Sequence, residues 1–272
     1  MTAATIDTGL ERIAAAFAGA AGAAALMPYL MGGFPTLEAS VRIGEAYAEA
    51  GADLLELGVP FSDPLADGPV IHAAATRALA GGATLHHALE AGARLAQRIP
   101  VVLMCYANPL LARGLERFVD ELAQRRISGL IVPDLPLEEA PALLAACDGA
   151  GVALVPLVAP TTPPERLAAI GARARGFLYT VAVTGTTGER ADGDVAAVLA
   201  RAKAHANVPV ALGFGISTPQ QAAAAAAAGA EGVIVGSRLV RAVAEADADG
   251  EDPAAAAGEI VAALAAALRL TR

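Results

Sequence analysis

The chain of 272 residues carries 19 Lys and Arg against 28 Asp and Glu, a net charge of −9, with 56% hydrophobic residues and two Cys. This length can bury a sizeable core and fits one large α/β barrel or two small domains. The acidic balance, with no basic tract, argues against nucleic-acid binding, and two cysteines without metal-ligand spacing are typical of reduced thiols in a cytoplasmic protein.

The first predicted element is a helix near residues 8–18, and it leads into an uncharged stretch, residues 13–37, that is rich in Ala and Gly. The residues before this stretch include Asp7 and Glu11 rather than the positive region of a signal peptide. Since Ala and Gly bury little apolar surface, a spanning helix is also disfavoured. We therefore expect neither a signal peptide nor a membrane anchor.

Eight short runs rich in Val, Ile and Leu recur without strict alternation, the pattern of strands buried on both faces of a parallel sheet. They cover residues 26–31, 53–58, 101–106, 129–132, 152–158, 177–183, 208–213 and 232–235. Ala-rich, charge-bearing segments between them predict helices, among them residues 37–50, 72–97, 115–126, 163–172, 195–205 and 219–228.

Eight β-then-α units predict a (β/α)₈ TIM barrel, a single domain over residues 1–272. The additional N-terminal helix is expected to cover the bottom of the barrel. The alternative is an open sheet of fewer strands.

In such a barrel, ligands bind at the carboxyl ends of the strands. The loops after the seventh and eighth strands contain Gly213, Gly215 and Gly236-Ser237, and Gly188 lies in the long loop after the sixth. Backbone N–H groups of glycine turns that open helices can approach an anion closely, and the helix dipole favours negative charge. These loops indicate a phosphorylated ligand, although the same glycines would also suit simple tight turns.

Glu56 is the anomalous residue of the predicted strands, because it stands between leucines in the run Asp53-Leu54-Leu55-Glu56-Leu57-Gly58. Strand alternation places residues 54, 56 and 58 on one face and 55 and 57 on the other. If Leu55 and Leu57 face the helices, Glu56 points into the barrel, where desolvation raises the pKa of its carboxyl group and suits it to proton transfer. The alternative is a structural carboxylate paired with an arginine.

Asp67 follows the same strand and could form a carboxylate pair with Glu56. One carboxylate would move a proton and the other would hold a polar N–H or hydroxyl group. Asp-Gly-Pro is also common capping chemistry at the start of a helix, with Asp67 or Gly68 as N-cap and Pro69 in the first turn. The spacing alone leaves both interpretations open.

Lys203 is the single lysine of the chain and lies in a predicted outer helix. This position excludes a Schiff-base aldolase, so any carbon–carbon cleavage would run by acid–base catalysis alone. Cys105 ends the third predicted strand, where a buried apolar thiol is the common role. No metal site is expected, because the histidines fall in predicted helices without ligand spacing: His72, His86, His87 and His205.

A resemblance to a known family rests on the run Leu55-Glu56-Leu57-Gly58-Val59-Pro60-Phe61-Ser62-Asp63-Pro64-Leu65-Ala66-Asp67-Gly68-Pro69. This run is similar to the signature of the tryptophan synthase alpha chain family. The resemblance continues through residues 28–30, 105–109, 131–136 and 213–217 and covers nearly the whole chain. It implies a (β/α)₈ barrel that cleaves indole-3-glycerol phosphate into indole and glyceraldehyde 3-phosphate, a retro-aldol reaction of tryptophan biosynthesis that uses no lysine.

Carried over by position, the resemblance implies that Glu56 is the acid–base residue, which protonates the indole ring at C3 and assists loss of the side-chain hydroxyl proton. It implies that Asp67 holds the indole N–H and stabilises the positive charge of the protonated ring. Thr187 of the sixth loop is expected to close onto Asp67. The remaining implied positions bind phosphate, at Gly188, Gly215, Gly236 and Ser237, or line the pocket, at Tyr29, Met104, Tyr106, Tyr179 and Phe214.

The sixth loop departs from the family pattern, because residues 183–188 read Val-Thr-Gly-Thr-Thr-Gly and lack an arginine that many members carry. This difference bears on lid closure and on communication with a partner. The resemblance implies a partner beta chain that holds pyridoxal phosphate, in an alpha2beta2 heterotetramer, with no cofactor in this chain. Two alternatives are a free-standing indole-3-glycerol-phosphate lyase and a regulatory subunit that binds a phosphorylated ligand without turnover.

Overall fold

The computed structural model describes residues 8–20, 23–181, 195–213 and 215–270. Its strand segments form one parallel sheet in the order β5-β4-β3-β2-β1-β9-β8-β7-β6. Their bounds are β1 (Ala25–Met31), β2 (Leu55–Gly58), β3 (Val101–Met104), β4 (Gly129–Ile131), β5 (Ala153–Leu154), β6 (Leu157–Val158), β7 (Leu178–Val181), β8 (Val210–Gly213) and β9 (Gly232–Val235).

The two ends of this order, β5 and β6, belong to one predicted strand, residues 152–158, which is interrupted at Val155-Pro156. The backbone N–H of Val155 donates to the carbonyl of Leu130 at 2.9 Å, and the carbonyl of Pro156 accepts from the N–H of Tyr179 at 3.0 Å. Proline has no N–H to continue the ladder. The run therefore joins β4 to β7, and the predicted (β/α)₈ barrel is confirmed with a broken fifth strand.

Helices surround the sheet, and within the described ranges none has the length and apolar character needed to span a bilayer. Their bounds are α1 (Gly9–Gly19), α2 (Leu37–Glu49), α3 (Pro69–Ala80), α4 (Leu85–Leu95), α5 (Ala107–Arg113), α6 (Leu115–Gln124), α7 (Pro141–Ala150), α8 (Pro164–Gly171), α9 (Val195–Lys203), α10 (Pro219–Ala227), α11 (Ser237–Ala248) and α12 (Pro253–Arg269).

The prediction of one helix over residues 72–97 is wrong, because the structure has two helices there, α3 and α4. The chain turns at Gly82, whose φ of 86° is a left-handed conformation that glycine adopts without steric cost. Thr84 then caps α4, since its side chain accepts from the N–H of His87. Because the apolar periodicity continues from α3 into α4, the sequence pattern does not show the turn between them.

Helix α1 closes the bottom of the barrel, as the sequence predicted. Ile13 is fully buried among the residues that fill the barrel interior. The guanidinium of Arg12 donates to the backbone carbonyls of Ala96, Ile99 and Arg126, which lie just before β3 and β4. The carboxyl ends of the strands, at the opposite end of the barrel, are left to form a pocket.

Candidate active site

A pocket of about 310 Å³ opens at the carboxyl ends of the strands and brings together most of the residues singled out in the sequence. Its wall includes Tyr29, Glu56, Asp67, Met104, Tyr179, Gly215, Gly236 and Ser237. Tyr106 is not in this wall and lies behind Asp67. Thr187, Gly188 and Phe214 fall outside the described residues.

Glu56 enters the pocket from β2, because the strand alternates as the sequence predicted. Leu55 and Leu57 pack in the layer between sheet and helices, whereas Leu54 belongs to the barrel interior. Glu56 is only 4% exposed and stands beside Tyr29 of β1 in the strand register. Among the described residues it makes no ion pair with an arginine. The alternative of an arginine-paired structural carboxylate therefore finds no support there.

The electrostatics of the pocket keep Glu56 protonated at neutral pH. Burial raises the pKa of its carboxyl group from 4.5 to about 8, and the nearby charge of Asp67 adds to this shift. Burial also raises the pKa of Asp67, but a hydrogen bond from Tyr106 and the charge of His72 oppose that shift. Asp67 therefore ionises at a lower pH than Glu56, and Glu56 is the carboxyl group of the pair that keeps its proton at neutral pH.

Tyr106 positions Asp67 from the β3–α5 connection. Its hydroxyl donates to Oδ1 of Asp67 at 3.1 Å and accepts from the N–H of Ala66 at 3.0 Å. Its ring stacks on that of Phe61 with centroids 5.3 Å apart. The N-cap of α3 is Gly68, so the carboxylate of Asp67 does not cap this helix and is available to the pocket.

Two buried tyrosines lie against glycines at the strand ends. Burial raises the pKa of both Tyr29 and Tyr179 well above 10, so each presents a neutral hydroxyl beside Glu56. A Cβ atom on Gly58 would lie 2.0 Å from the hydroxyl oxygen of Tyr29, and one on Gly213 would lie 2.4 Å from that of Tyr179. Glycine is therefore required at both positions for these rings to line the pocket.

We expect Gly58→Ala to destabilise the fold by about 2 kcal/mol, because the buried Tyr29 ring cannot move aside without displacing its neighbours. In a Tyr29→Leu background, which removes the clashing atoms, the same substitution should cost markedly less. Urea unfolding of the four proteins of this double-mutant cycle measures the difference. An equal loss of unfolding free energy in both backgrounds would show that Gly58 is not required to make room for the Tyr29 ring.

The opposite wall of the pocket comes from the loops after β8 and β9. Gly236 is the N-cap of α11 and provides no side-chain cap, so the first N–H groups of this helix are left for another acceptor. Gly215 lines the same wall. The pocket wall also includes Arg238 and Arg241, two residues of α11 that the sequence analysis did not single out. Their position after Gly236-Ser237, in a helix that starts at the pocket, is the signal that could have identified them.

Lys203 lies at the other end of the barrel, where its ammonium group pairs with Glu231, just before β9, at 3.5 Å. The only lysine of the chain is therefore remote from the pocket, as predicted. Cys105 is fully buried, and burial raises the pKa of its thiol to about 12. Across the described ranges, His, Cys, Asp and Glu side chains form no group of three that could hold a metal ion.

Comparison with known proteins identifies the family. The family model described as tryptophan synthase alpha chain matches residues 16–269. A tryptophan synthase alpha chain from Prochlorococcus marinus (strain MIT 9313) is 49% identical over 249 residues, which covers 90% of this chain and 89% of the relative. Another from Roseiflexus sp. (strain RS-1) is 48% identical over 244 residues, covering 87% and 93% of the two chains.

Solved structures agree with this assignment. A chain of Mycobacterium tuberculosis tryptophan synthase superposes with a TM-score of 0.88 at 38% identity, covering 95% of this chain and 98% of that one. Tryptophan synthase subunit alpha of Legionella pneumophila superposes with a TM-score of 0.87 at 34% identity, again over 95% and 98%. The chain therefore belongs to the tryptophan synthase alpha chain family, the lyase subunit of an enzyme of tryptophan biosynthesis.

Proposed function

We propose that Glu56 and Asp67 carry out the retro-aldol cleavage of indole-3-glycerol phosphate to indole and glyceraldehyde 3-phosphate. The observation that carries this proposal is the pair of carboxylates in one pocket, of which Glu56 is buried and protonated at neutral pH while Asp67 ionises first. Such a difference in pKa within one site is the usual basis of acid and base roles.

In the proposed reaction, Glu56 donates its proton to C3 of the indole ring. The positive charge that develops on the ring is stabilised by the carboxylate of Asp67, which accepts a hydrogen bond from the indole N–H. The Glu56 carboxylate then removes the proton of the side-chain hydroxyl as the carbon–carbon bond breaks and its electrons return to the ring. Glu56 gives and regains one proton, so the enzyme ends as it began.

The walls of the pocket suit the two ends of this substrate. Met104, Tyr179 and Ile234 offer an apolar surface for the indole ring, and Tyr29 adds a neutral hydroxyl near Glu56. Gly215, Gly236 and Ser237 would bind the phosphate. From the family resemblance, Gly188 and Phe214 would complete the pocket, and Thr187 would close onto Asp67.

The proposal includes a partner. The chain would act in the cytoplasm in an alpha2beta2 heterotetramer with a beta chain, which would hold pyridoxal phosphate and consume the indole, while this chain itself would need no cofactor. Leu65 is 87% exposed and lies in the loop that carries Asp67. Leu111 is 59% exposed and lies in α5, the helix that follows Tyr106. Burial of these leucines by a partner would remove apolar surface from water.

The test is release of indole from indole-3-glycerol phosphate by the purified chain, with and without the beta chain of the same source. We expect slow cleavage by the chain alone and a strong increase with the partner. Fast cleavage that the beta chain does not change would instead indicate a free-standing lyase. Absence of cleavage in both conditions would leave only a binding subunit.

The pH dependence of kcat/KM should be bell-shaped. Glu56 must be protonated to act as the acid, and its pKa is about 8, so the rate should fall as pH rises through that value. Asp67 must be ionised, so the rate should also fall in acid, at a pH above the usual 3.8 of an aspartate. Initial rates from pH 4 to 10 measure both limbs, and a rate that stays constant through pH 9 would contradict the role given to Glu56.

A further inference from the structure

Two arginines of α11 face the candidate active site. Arg238 is the second residue of the helix, directly after Ser237, and Arg241 lies one turn further along, so the two are neighbours on one helix face. Both line the pocket, Arg238 half-buried and Arg241 exposed at its edge. Neither forms an ion pair with another described residue, whereas the exposed arginines Arg42 and Arg166 pair with carboxylates of other segments.

The position of these cations matters because the pocket is otherwise acidic. It contains the carboxylate of Asp67, which ionises at a lower pH than Glu56, and belongs to a chain with a net charge of −9. A phosphate monoester carries up to two negative charges at neutral pH, so entry into such a pocket is opposed by repulsion unless cations offset it. Within the described pocket wall, Arg238 and Arg241 are the side chains that supply positive charge.

The arginines also lie beside the backbone that would bind an anion. Gly236 and Ser237 open α11 and line the same wall as Arg238. Helix N–H groups supply fixed partial charges, and a guanidinium supplies a full charge with a planar fork of donors that matches phosphate oxygens. The two kinds of donor can therefore bind different oxygens of one phosphate group.

We infer that Arg238 and Arg241 bind the phosphate of the substrate, so that selectivity for a phosphorylated substrate depends on side-chain charge as well as on backbone N–H groups. Arg238 is the main contact, because it is the more buried and follows Ser237 directly. Arg241 attracts the anion from the edge of the pocket. This inference rests on the proposed function and adds two substrate-binding residues to it.

The experiment compares Arg238→Ala, Arg241→Ala, the double variant and Arg238→Lys with the parent chain. Arg98→Ala is the matched control, because it removes the same charge from an exposed pair with Glu49 at the bottom of the barrel. Steady-state rates are measured with indole-3-glycerol phosphate and with its unphosphorylated counterpart, indole-3-glycerol. Circular dichroism confirms that each variant is folded.

We expect Arg238→Ala to raise KM for the phosphorylated substrate about tenfold or more, the scale of a lost charge-assisted hydrogen bond, with kcat changed less than about twofold. KM for the phosphorylated substrate should rise further in the double variant, and KM of Arg238→Lys should lie between those of Arg238→Ala and the parent. Rates with indole-3-glycerol and all rates of Arg98→Ala should stay at the parental value. The dependence of KM on salt concentration should be weaker in the double variant.

Unchanged KM for the phosphorylated substrate in the double variant would overturn the inference, and so would equal losses with both substrates. Calorimetric binding of glycerol 3-phosphate tests phosphate binding by the arginines independently of whether the chain cleaves its substrate. If the parent binds this ligand and the double variant binds it at least tenfold more weakly, the arginines bind phosphate even if no cleavage is seen. If both bind it equally, the inference fails whatever the activity of the chain.

Discussion

Glu56→Gln is expected to lower kcat for indole formation by about 10³-fold, because an amide can neither donate the proton to the ring nor remove the hydroxyl proton. Glutamine has nearly the shape of protonated glutamate, the form that burial favours at neutral pH. Binding of glycerol 3-phosphate should therefore remain within about twofold of the parent. Rates and calorimetric affinities measured at pH 7 give both numbers.

The fold of this variant can be checked through its stability as a function of pH. The pKa of Glu56 is raised from 4.5 to about 8 in the folded chain, so the folded state holds a proton between these pH values that the unfolded state has lost. The free energy of unfolding therefore falls as pH rises from 4.5 to 8. Above pH 8 the Glu56→Gln variant should exceed the parent in free energy of unfolding by on the order of 4 kcal/mol. Glu49→Gln, at an exposed ion pair, is the control and should change neither activity nor this profile. Turnover by Glu56→Gln within tenfold of the parent would remove Glu56 from the mechanism.

Asp67→Asn is expected to lower kcat/KM by about 10²- to 10³-fold, because the variant removes a fixed negative charge from the position where the ring becomes positive. The loss should appear mainly in kcat, since that charge is largest in the transition state. Asp63→Asn is the matched control: it changes the same residue type in the same loop, at an exposed site outside the pocket. Steady-state rates of the two variants measure the contrast, and equal rates would assign the effect to the loop rather than to the charge.

Tyr106→Phe extends this prediction, because it removes the hydroxyl that bonds Oδ1 of Asp67. We expect a loss in kcat of about tenfold in the parent and almost none in the Asp67→Asn background, since the hydroxyl acts through the carboxylate. Fully additive losses would indicate instead that Tyr106 contacts the substrate on its own.

The features that could be predicted from the sequence are those set by local periodicity. Alternation in β2 places Leu55 and Leu57 against the helices and Glu56 inside, and the structure confirms this arrangement. Helix α1 could likewise be placed at the bottom of the barrel. The alternation reports directly which face of β2 is apolar, whereas α1 is the additional helix before the first of the eight β-then-α units.

The features that escaped prediction depend on contacts between distant segments or on single turn residues. Tyr106 holds Asp67 from 39 residues away, a contact that no local pattern encodes. The turn at Gly82, just after α3, lies within an apolar pattern that continues into α4, so the sequence predicted one helix where the structure has two. Arg238 resembles any charged residue of an exposed helix until the position of the helix start is known.

The pairing of the first strand with the last has a consequence for how the barrel folds. Each half of the sheet grows by pairing consecutive strands, β1 to β5 on one side and β6 to β9 on the other. The two halves meet where β1 pairs with β9. There Ala25 pairs with Gly232, which is 232 − 25 = 207 residues away in the sequence. Joining such distant segments carries the largest loop-closure cost in the sheet and slows folding. Until β1 pairs with β9, the sheet keeps two unpaired strand edges.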